Sequence, residues 1–161
     1  MPPVIYFAAP LFTMAEKIWN EKLFWAIKGK INVDIFLPQH EVIKTGAIDK
    51  NGNMDPGKVF ETCLQGVDNC NIILAILDGA DSDSGTCFEC GYAFAKGKRI
   101  IGVRSDSRAG EVDGLNVMLS NTVDLIKYSG QKDNENNNMD NDNQITELAE
   151  IIITKINQAL N

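Results

Sequence analysis

The sequence lacks the features by which nucleic-acid-binding and membrane proteins are usually recognised. Lysine and arginine number 15 against 22 acidic residues, so the formal net charge is −7, whereas binding to phosphate backbones needs clustered positive charge. No apolar run approaches the ~18 residues of a membrane helix, and the first residues run directly into a strand-like segment, Val4 to Ala8. We therefore expect a cytoplasmic protein that binds neither nucleic acid nor a membrane, with a small neutral or weakly charged ligand.

Histidine is nearly absent, which limits the metal chemistry open to the chain. His40 is the only histidine, and the four cysteines are Cys63, Cys70, Cys87 and Cys90. The last two form a C-x-x-C pattern, but a zinc site would need two further ligands. Small buried thiols are the simpler interpretation, so we expect no metal site and no disulfide.

Glycine-rich phosphate loops are also missing. Neither G-x-G-x-x-G nor G-x-x-x-x-G-K-[ST] occurs, and the segment Ala8 to Phe12 contains no glycine, serine or basic residue. Dinucleotide and triphosphate binding are therefore disfavoured, and this segment suits an apolar wall for a flat ring. The spacing from Asp78 to Glu89 matches the ends of a calcium-binding EF-hand loop, but too few oxygen ligands lie between them for calcium.

Short apolar runs alternate with segments in which apolar residues recur at helical spacing. This pattern is typical of α/β proteins. We predict strands at about 4–8, 33–37, 72–77, 99–103 and 123–126, and helices at about 13–28, 59–69, 85–97 and 145–160. Crossover helices then give a single domain over residues 1–161, with a doubly wound, five-stranded parallel sheet in the order 2-1-3-4-5. Helices on both faces make this a flavodoxin-like, three-layer α/β fold. The carboxyl ends of strands one, three and four surround one crevice.

Two segments are predicted to be irregular. Residues 41–57 are dense in turn residues, among them Gly46 and Gly52, and a connection of this length in a compact domain is usually a lid or binding loop. Residues 131–144 are rich in asparagine and have almost no apolar side chains. Such a composition does not offset the entropy of ordering, so we expect a disordered surface insertion there.

The acidic segment that ends at Glu89 is the most distinctive part of the sequence. It follows a buried strand and precedes a helix of small residues, and ligands in open α/β sheets bind where strands end. Asp78, Asp81 and Asp83 are of the residue type that forms turns and caps helices. Glu89, by contrast, lies among residues suited to burial. A pair of carboxylates acting at an anomeric carbon, Glu89 and Asp83, is therefore the favoured chemical interpretation.

Several segments together resemble the nucleoside 2-deoxyribosyltransferase family. They are Ile5-Tyr6-Phe7-Ala8-Ala9-Pro10-Leu11-Phe12, Asp78-Gly79, Asp83-Ser84-Gly85-Thr86, Glu89-Cys90-Gly91-Tyr92-Ala93 and Asn116-Val117-Met118-Leu119. The resemblance extends from residue 4 to about residue 126. It implies exchange of nucleobases on 2′-deoxyribonucleosides, as in nucleoside salvage, without a cofactor. In that scheme Glu89 attacks C1′ to form a covalent deoxyribosyl-enzyme, and configuration is retained.

The resemblance also implies roles for other residues. Tyr6 would hold and orient the Glu89 carboxylate, and Asp83 would face the base or sugar and assist protonation of the departing ring. Asn116 and Met118 would be contributed to a neighbouring subunit's site, which implies a dimer-based homo-oligomer. The partners are then deoxynucleosides and free nucleobases. Further residues expected to bind substrate are Phe7, Ala8, Phe12, Gln39, Asp78 and Gly85.

One position departs from the family pattern. Family members often have an aspartate in the helix before the third strand, where this chain has Cys63. Glu61 and Gln65 are candidate substitutes, and otherwise base protonation rests on Asp83 alone.

Two other functions stay open. One is a hydrolase of the same superfamily, in which water discharges the intermediate and the substrate is a deoxynucleoside or its 5′-monophosphate. Arg104 and Arg108 are within possible reach of such a phosphate. The other is a non-catalytic nucleotide-sensing module, which predicts a missing nucleophile, whereas Glu89 is present.

Overall fold

The structure is a computed structural model of the chain, and it describes residues 1–108, 111–130 and 141–161. In these residues five parallel strands form one sheet in the order β2-β1-β3-β4-β5. The strands are β1 (Val4–Ala8), β2 (Asp34–Phe36), β3 (Ile72–Ile76), β4 (Arg99–Arg104) and β5 (Asp124–Lys127). The predicted α/β fold class and strand order are confirmed.

The described residues contain six helices, which cover both faces of the sheet. They are α1 (Met14–Lys28), α2 (Pro38–Lys44), α3 (Pro56–Asn69), α4 (Ser84–Ala95), α5 (Val117–Ser120) and α6 (Asn141–Leu160). The core on one face is formed with α1 and α6, and the core on the other with α3, α4 and α5. None of the six described helices combines the length and the apolar composition of a membrane span.

Alternation along β1 decides which side chains face which layer. Ile5 and Phe7 are buried against α1 and α6, whereas Tyr6 and Ala8 are buried against α3, α4 and α5. Successive side chains of a strand point to opposite faces of the sheet, and a central parallel strand is covered on both faces. The Tyr6 ring therefore lies on the α3–α4 side of the sheet, and the Phe7 ring lies on the opposite side.

The loop predicted at 41–57 is shorter in the structure. Its first residues belong to α2, which has a proline in its first turn, a position that proline tolerates well. Its last residues belong to α3, where Asp55 caps the helix by accepting a hydrogen bond from the Lys58 backbone nitrogen at 3.1 Å. Between the helices, Asp49 accepts hydrogen bonds from the backbone nitrogens of Asn51 and Asn53. A shorter connection, residues 45–55, thus remains where the loop was predicted.

The last helix begins earlier than predicted. α6 starts at Asn141 instead of Ile145, so the predicted disorder of residues 141–144 is wrong, whereas residues 131–140 lie outside the described residues. Asparagine and aspartate are favoured at helix starts, and Asp142 in the first turn complements the helix dipole. The polar composition of 141–144 therefore continues the helix towards its amino terminus.

Candidate active site

The Tyr6 hydroxyl and the Glu89 carboxylate form the centre of the candidate site. Tyr6 lies in the middle of β1 with 0% of its surface exposed, and its hydroxyl donates a hydrogen bond to Glu89 Oε1 over 2.5 Å. Glu89 projects from α4, and it is partly buried. The structure thus brings together two predicted site residues that lie 83 positions apart in the chain.

Packing on two sides fixes the Tyr6 ring. It stacks on Phe36 of β2 with ring centroids 5.1 Å apart and an interplanar angle of 16°. On the α3 side it faces Gly66, where an added Cβ would lie 2.8 Å from the Tyr6 ring and 2.7 Å from that of Phe36. Glycine at this position lets α3 pack directly on the two rings, so the hydroxyl has a defined position beneath Glu89.

The pKa of Glu89 is raised from its ordinary 4.5 to about 7. Burial is the main cause and the nearby negative charge of Asp83 adds to it, whereas the hydrogen bond from Tyr6 acts in the opposite direction. Burial, together with the charge of Glu89, also raises the pKa of Tyr6, so the phenol stays a proton donor at neutral pH. Such perturbed groups in a cleft are typical of functional sites.

An apolar cavity of about 370 Å³ opens beside Glu89, between α3 and α4. We call it the Glu89 cavity, and its volume is in the range of small-molecule sites. Glu89, Cys63 and Gly85 lie on its wall. The apolar side chains of the wall include Met54, Val59, Phe60, Leu64, Val67 and Phe88.

Two aromatic rings stand at the mouth of the Glu89 cavity. Phe60 and Phe88 have ring centroids 6.2 Å apart, and each is more than half exposed. Met54, from the turn between α2 and α3, lies on the same wall. A flat heteroaromatic ring is the kind of ligand that such a slot accommodates.

Asp83 caps α4. Its Oδ2 accepts hydrogen bonds from the Thr86 backbone nitrogen at 2.8 Å and from the Thr86 hydroxyl at 3.1 Å. A Cβ on Gly85 would lie 3.1 Å from the same oxygen. Asp83 therefore caps the helix, as its residue type indicates. It acts on Glu89 through its negative charge.

Asp78 joins the two loops that border the crevice. Its Oδ1 accepts hydrogen bonds from the backbone nitrogens of Ser105 and Asp106 at 2.6 and 2.9 Å, and its Oδ2 accepts one from the Ser105 hydroxyl at 2.6 Å. Gly79 follows with φ of +117°, where a Cβ would meet the Asp81 carbonyl oxygen at 2.7 Å. Both Asp78 oxygens thus hold the loop after β4, and the structure does not bring them to Glu89.

The two arginines considered as phosphate ligands are engaged within the chain. Arg104 is buried and donates to the carbonyl oxygens of Leu77 at 2.6 Å, Gly79 at 3.1 Å and Arg108 at 3.2 Å. Arg108 forms an ion pair with Asp106, with Nε 2.9 Å from both carboxylate oxygens. Both guanidinium groups therefore stabilise the loops at the ends of β3 and β4.

Gln39 lies in α2, and its amide is bonded to α1. It donates to Glu21 Oε1 at 3.0 Å and accepts from Asn20, which is buried, at 3.3 Å. Asn20 also donates to the Pro10 carbonyl oxygen at 2.9 Å, and His40 contacts the same Glu21 carboxylate. The amide predicted to contact the substrate thus joins α2 to α1, and Asn20 joins α1 to the loop after β1.

The three predicted substrate contacts around the end of β1 differ in their placement. The Phe7 ring is 1% exposed in the core against α1 and α6, so it faces away from the Glu89 cavity, and contact between its side chain and a ligand there is excluded. Ala8 is buried on the same side as Tyr6. Phe12 is 71% exposed in the loop after β1.

Asn116 and Met118 lie at the surface of α5. Asn116 caps this helix by accepting a hydrogen bond from the Met118 backbone nitrogen at 2.9 Å, and the Met118 side chain is 76% exposed. Neither residue lines the Glu89 cavity as the described residues form it. Their contribution to a neighbouring subunit's site stays a prediction.

Apart from Cys63, sequence reasoning missed the α3 wall of the cavity. Val59, Phe60, Cys63, Leu64 and Val67 recur at spacings of three and four, which places them on one face of α3. Only Gly66 and Val67 of this helix are fully buried. The apolar face of α3 is therefore wider than the part that the core buries. This excess of apolar residues was the sequence signal that could have indicated a ligand surface.

Most of the chain matches the model of a known protein family. The model of a protein family described as nucleoside 2-deoxyribosyltransferase matches residues 5–139 of the chain. No curated protein sequence matches it.

Several solved structures share the fold. A conserved protein from Enterococcus faecalis is 23% identical with a TM-score of 0.67, over 92% of this chain and 99% of that one. The 2-deoxyribosyltransferase from Bacillus psychrosaccharolyticus is 20% identical with a TM-score of 0.62, over 86% and 95% of the two chains. A CMP N-glycosidase from Clostridium botulinum is 18% identical with a TM-score of 0.60, over 92% and 98%. At these identities the likeness shows the fold alone.

Proposed function

We propose that this chain, which belongs to the nucleoside 2-deoxyribosyltransferase family, exchanges nucleobases on 2′-deoxyribonucleosides. The observation that carries the proposal is the partly buried Glu89 carboxylate, held by the Tyr6 hydroxyl at the wall of an apolar cavity. The substrates are deoxynucleosides and free nucleobases. No metal or organic cofactor is needed, because a side-chain carboxylate supplies the nucleophile.

The first step breaks the glycosidic bond. Glu89 attacks C1′, a bond forms between C1′ and a carboxylate oxygen, and the electron pair of the C1′–N bond goes to the base. The transition state resembles an oxocarbenium ion, which a nearby anionic carboxylate stabilises. The 2-deoxy sugar favours this step, because it lacks the hydroxyl that destabilises positive charge at C1′.

The second step reverses the first with a different base. A nitrogen of the incoming base attacks C1′ and gives up its N–H proton to solvent, and Glu89 leaves as the carboxylate. Each step inverts C1′, so the product retains the configuration of the substrate. Tyr6 donates its hydrogen bond to the carboxylate whenever Glu89 is free, and this bond orients the attacking oxygen.

The arginines near the crevice favour substrates without a 5′-phosphate. Arg104 is bonded to three backbone carbonyl oxygens, and Arg108 is paired with Asp106. Arg104 would have to break these contacts before it could bind a phosphate, and the Asp106 carboxylate offsets the charge of Arg108. Unphosphorylated deoxynucleosides are therefore the proposed substrates, and equal or faster turnover of the 5′-monophosphates would contradict this.

A hydrolase is the second candidate, and the open mouth of the cavity is the observation that favours it. Phe60 and Phe88 at the mouth are more than half exposed, so the single chain does not enclose the intermediate against water. Transfer requires that a second base occupies this space before water reaches C1′. We propose that a homo-oligomer closes the site, with Asn116 and Met118 of α5 contributed to a neighbouring subunit.

An exchange assay separates the two candidates. The protein is incubated with deoxyinosine, with and without free adenine, and the products are followed by chromatography. Transfer predicts deoxyadenosine and hypoxanthine, formed only when adenine is present. Free deoxyribose and hypoxanthine at equal rates without adenine would instead identify a hydrolase, and the Glu89→Gln variant serves as the inactive control.

The proposed reaction assigns the chain to nucleoside salvage. Deoxynucleosides and free bases are cytoplasmic metabolites, and we propose the cytoplasm as the site of action. A non-catalytic sensing role would need no nucleophile, so full turnover by Glu89→Ala would contradict the catalytic proposal.

A further inference from the structure

The Glu89 cavity contains almost nothing that donates a proton. Among the described residues that line it, Glu89 is the only one with a carboxyl group, and that group is the proposed nucleophile. Cys63 is the other side chain on this wall with a titratable group. A thiol is a weak hydrogen-bond donor, and burial raises the pKa of Cys63 further above neutrality.

The other acids that the sequence offers do not reach this wall. Asp83 uses Oδ2 to cap α4, and both oxygens of Asp78 hold the loop after β4. Glu61 and Gln65 are exposed residues of α3, and neither belongs to the cavity wall. Among the described residues of the single chain, the departing group therefore faces apolar side chains and one thiol.

The base is the part of a nucleoside that fits this cavity. Its ring is flat and largely apolar on both faces, as the slot beside Phe60 and Phe88 requires, whereas the sugar hydroxyls need polar partners. Attack by Glu89 on C1′ is in line with the bond that breaks, so the base lies beyond C1′ from the carboxylate. Cys63 and Glu89 lie on the wall of the same cavity, so a base that fills it lies against the wall to which Cys63 belongs.

We propose, on the basis of the proposed function, that the base departs from this site as an anion without a proton from the protein, and that Cys63 is the residue that determines this. The Glu89–C1′ bond forms while the C1′–N electron pair stays on the base nitrogen. The anion takes a proton from water after departure. The chain thus selects its substrates by how well the base itself carries negative charge.

The direct test is the rate of base release for a series of 5-substituted 2′-deoxyuridines. The substituents, from methyl through hydrogen to halogen and nitro, change the acidity of the base far more than its shape. Release is measured in a single turnover, so that later steps do not mask bond cleavage. For the unaltered protein we expect the rate to rise roughly fivefold to tenfold for each unit by which the pKa of the free base falls.

Two variants test the role of position 63. Cys63→Asp places a carboxyl group on the cavity wall, where burial and the charge of Glu89 keep it protonated near neutral pH. It should speed release of the least acidic base by about 10- to 100-fold and leave the most acidic base unchanged, because general-acid assistance helps poor leaving groups most. Cys63→Ser, which is of similar size and supplies no acid, should keep the steep dependence of the unaltered protein.

The outcomes separate this inference from the proposed function. The inference would be overturned if the rate of base release did not depend on the acidity of the base. It would also be overturned if the rate depended more steeply on that acidity in Cys63→Ser than in the unaltered protein. Either result would leave nucleoside cleavage in place. Absence of cleavage with every compound and with deoxyinosine would contradict the proposed function instead. Should Cys63→Asp not fold, the solvent deuterium isotope effect of the unaltered protein decides: a value near one supports anionic departure, and a value of about two or more contradicts it.

Discussion

Glu89 is a carboxylic acid that folding places in an apolar setting, and the cost of this placement depends on pH. Its pKa rises from 4.5 to about 7 on folding, so the folded chain binds more protons than the unfolded chain between these values. The free energy of unfolding therefore falls as the pH rises through this window, and it stays low above pH 7. A shift of this size corresponds to about 3 kcal/mol at most.

Replacing Glu89 with glutamine removes this cost. Glu89→Gln should raise the free energy of unfolding by about 1–3 kcal/mol at pH 8 and leave it unchanged near pH 4, because glutamine is neutral at both. The amide oxygen still accepts the hydrogen bond from Tyr6. Urea denaturation at the two pH values measures the effect. A loss of stability at pH 8 would show that the Glu89 charge stabilises the fold.

The raised pKa of Glu89 also sets the pH dependence of the reaction. The nucleophile must be ionised, so kcat/KM should be level above pH 7 and fall about tenfold per pH unit below it. An ordinary surface carboxylate would give a fall only below pH 5. A rate profile for deoxyinosine between pH 4.5 and 9 distinguishes the two, and a flat profile down to pH 5 would contradict a buried nucleophile.

The Tyr6 hydroxyl lowers the pKa of Glu89 by hydrogen bonding to its charged form. Tyr6→Phe keeps the ring stacked on Phe36 but removes the donor. The midpoint of the pH profile should therefore move to higher pH, and the maximal rate should fall because the carboxylate loses its orientation. A variant with a lower rate and an unmoved midpoint would show that Tyr6 acts only by packing.

At the scale of the secondary-structure elements, the approach of α3 to β1 holds the site together. Gly66 is the point of contact, because a Cβ there would lie under 3 Å from both the Tyr6 and Phe36 rings. The Glu89 cavity lies along the same helix. Displacing α3 would thus move the ring that holds Glu89 and one wall of the cavity.

Gly66→Ala tests this contact. We expect a loss of about 1–3 kcal/mol in the free energy of unfolding from overpacking, together with a rate lowered by about tenfold through displacement of Tyr6. Gly91→Ala in α4 is the matched control, since a Cβ there meets no described atom within 4 Å. Alanine favours helix over glycine by up to about 1 kcal/mol, so the control should be slightly more stable and fully active. Equal effects of the two changes would contradict the proposed contact.

The sequence predicted those elements that are specified by local patterns. β1 and β3 are uninterrupted apolar runs, and their burial on both faces follows from that composition. The predicted strand order was sufficient to bring the ends of β1 and β3 to one crevice, whereas the contact of Tyr6 with Glu89 was implied by the family resemblance. α2 was missed because its starting proline also fits the end of a strand.

Side chains whose partners are distant in sequence were less predictable. Phe7 was assigned to the site with Tyr6, although the period of two along a strand requires neighbours to face opposite layers. Gln39 was assigned to the substrate, but its partners Asn20 and Glu21 lie on α1. Such contacts depend on how α2 packs against α1, which no local pattern reveals.

At the scale of the whole molecule, apolar side chains remain exposed on the α3–α4–α5 side of the sheet. Phe60, Phe88, Phe94, Val117 and Met118 are each 46% exposed or more. Contiguous exposed apolar side chains mark interaction surfaces, and the Phe60 and Phe88 rings are neighbours with centroids 6.2 Å apart. Together with the open mouth of the Glu89 cavity, they support a homo-oligomer that covers this side.

Met118→Glu tests the oligomer. A charge in an apolar interface is unfavourable without a partner, so the variant should dissociate to smaller species in light-scattering measurements and lose activity as it does so. Met14→Glu on α1, where the methionine is 77% exposed on the other side of the sheet, is the control and should change neither. A monomeric, fully active parent protein would contradict the proposed contribution of Asn116 and Met118.

The most direct measurement is to trap the intermediate on the protein. A 2-fluoro-2-deoxyarabinosyl nucleoside slows release of the sugar from the enzyme, because fluorine destabilises positive charge at C1′, and peptide mass spectrometry then locates the adduct. We expect one sugar per chain, on the peptide that contains Glu89, and none in Glu89→Gln. An adduct on another residue, or turnover of deoxynucleosides by Glu89→Gln at the rate of the unaltered protein, would contradict the assignment of Glu89 as the nucleophile.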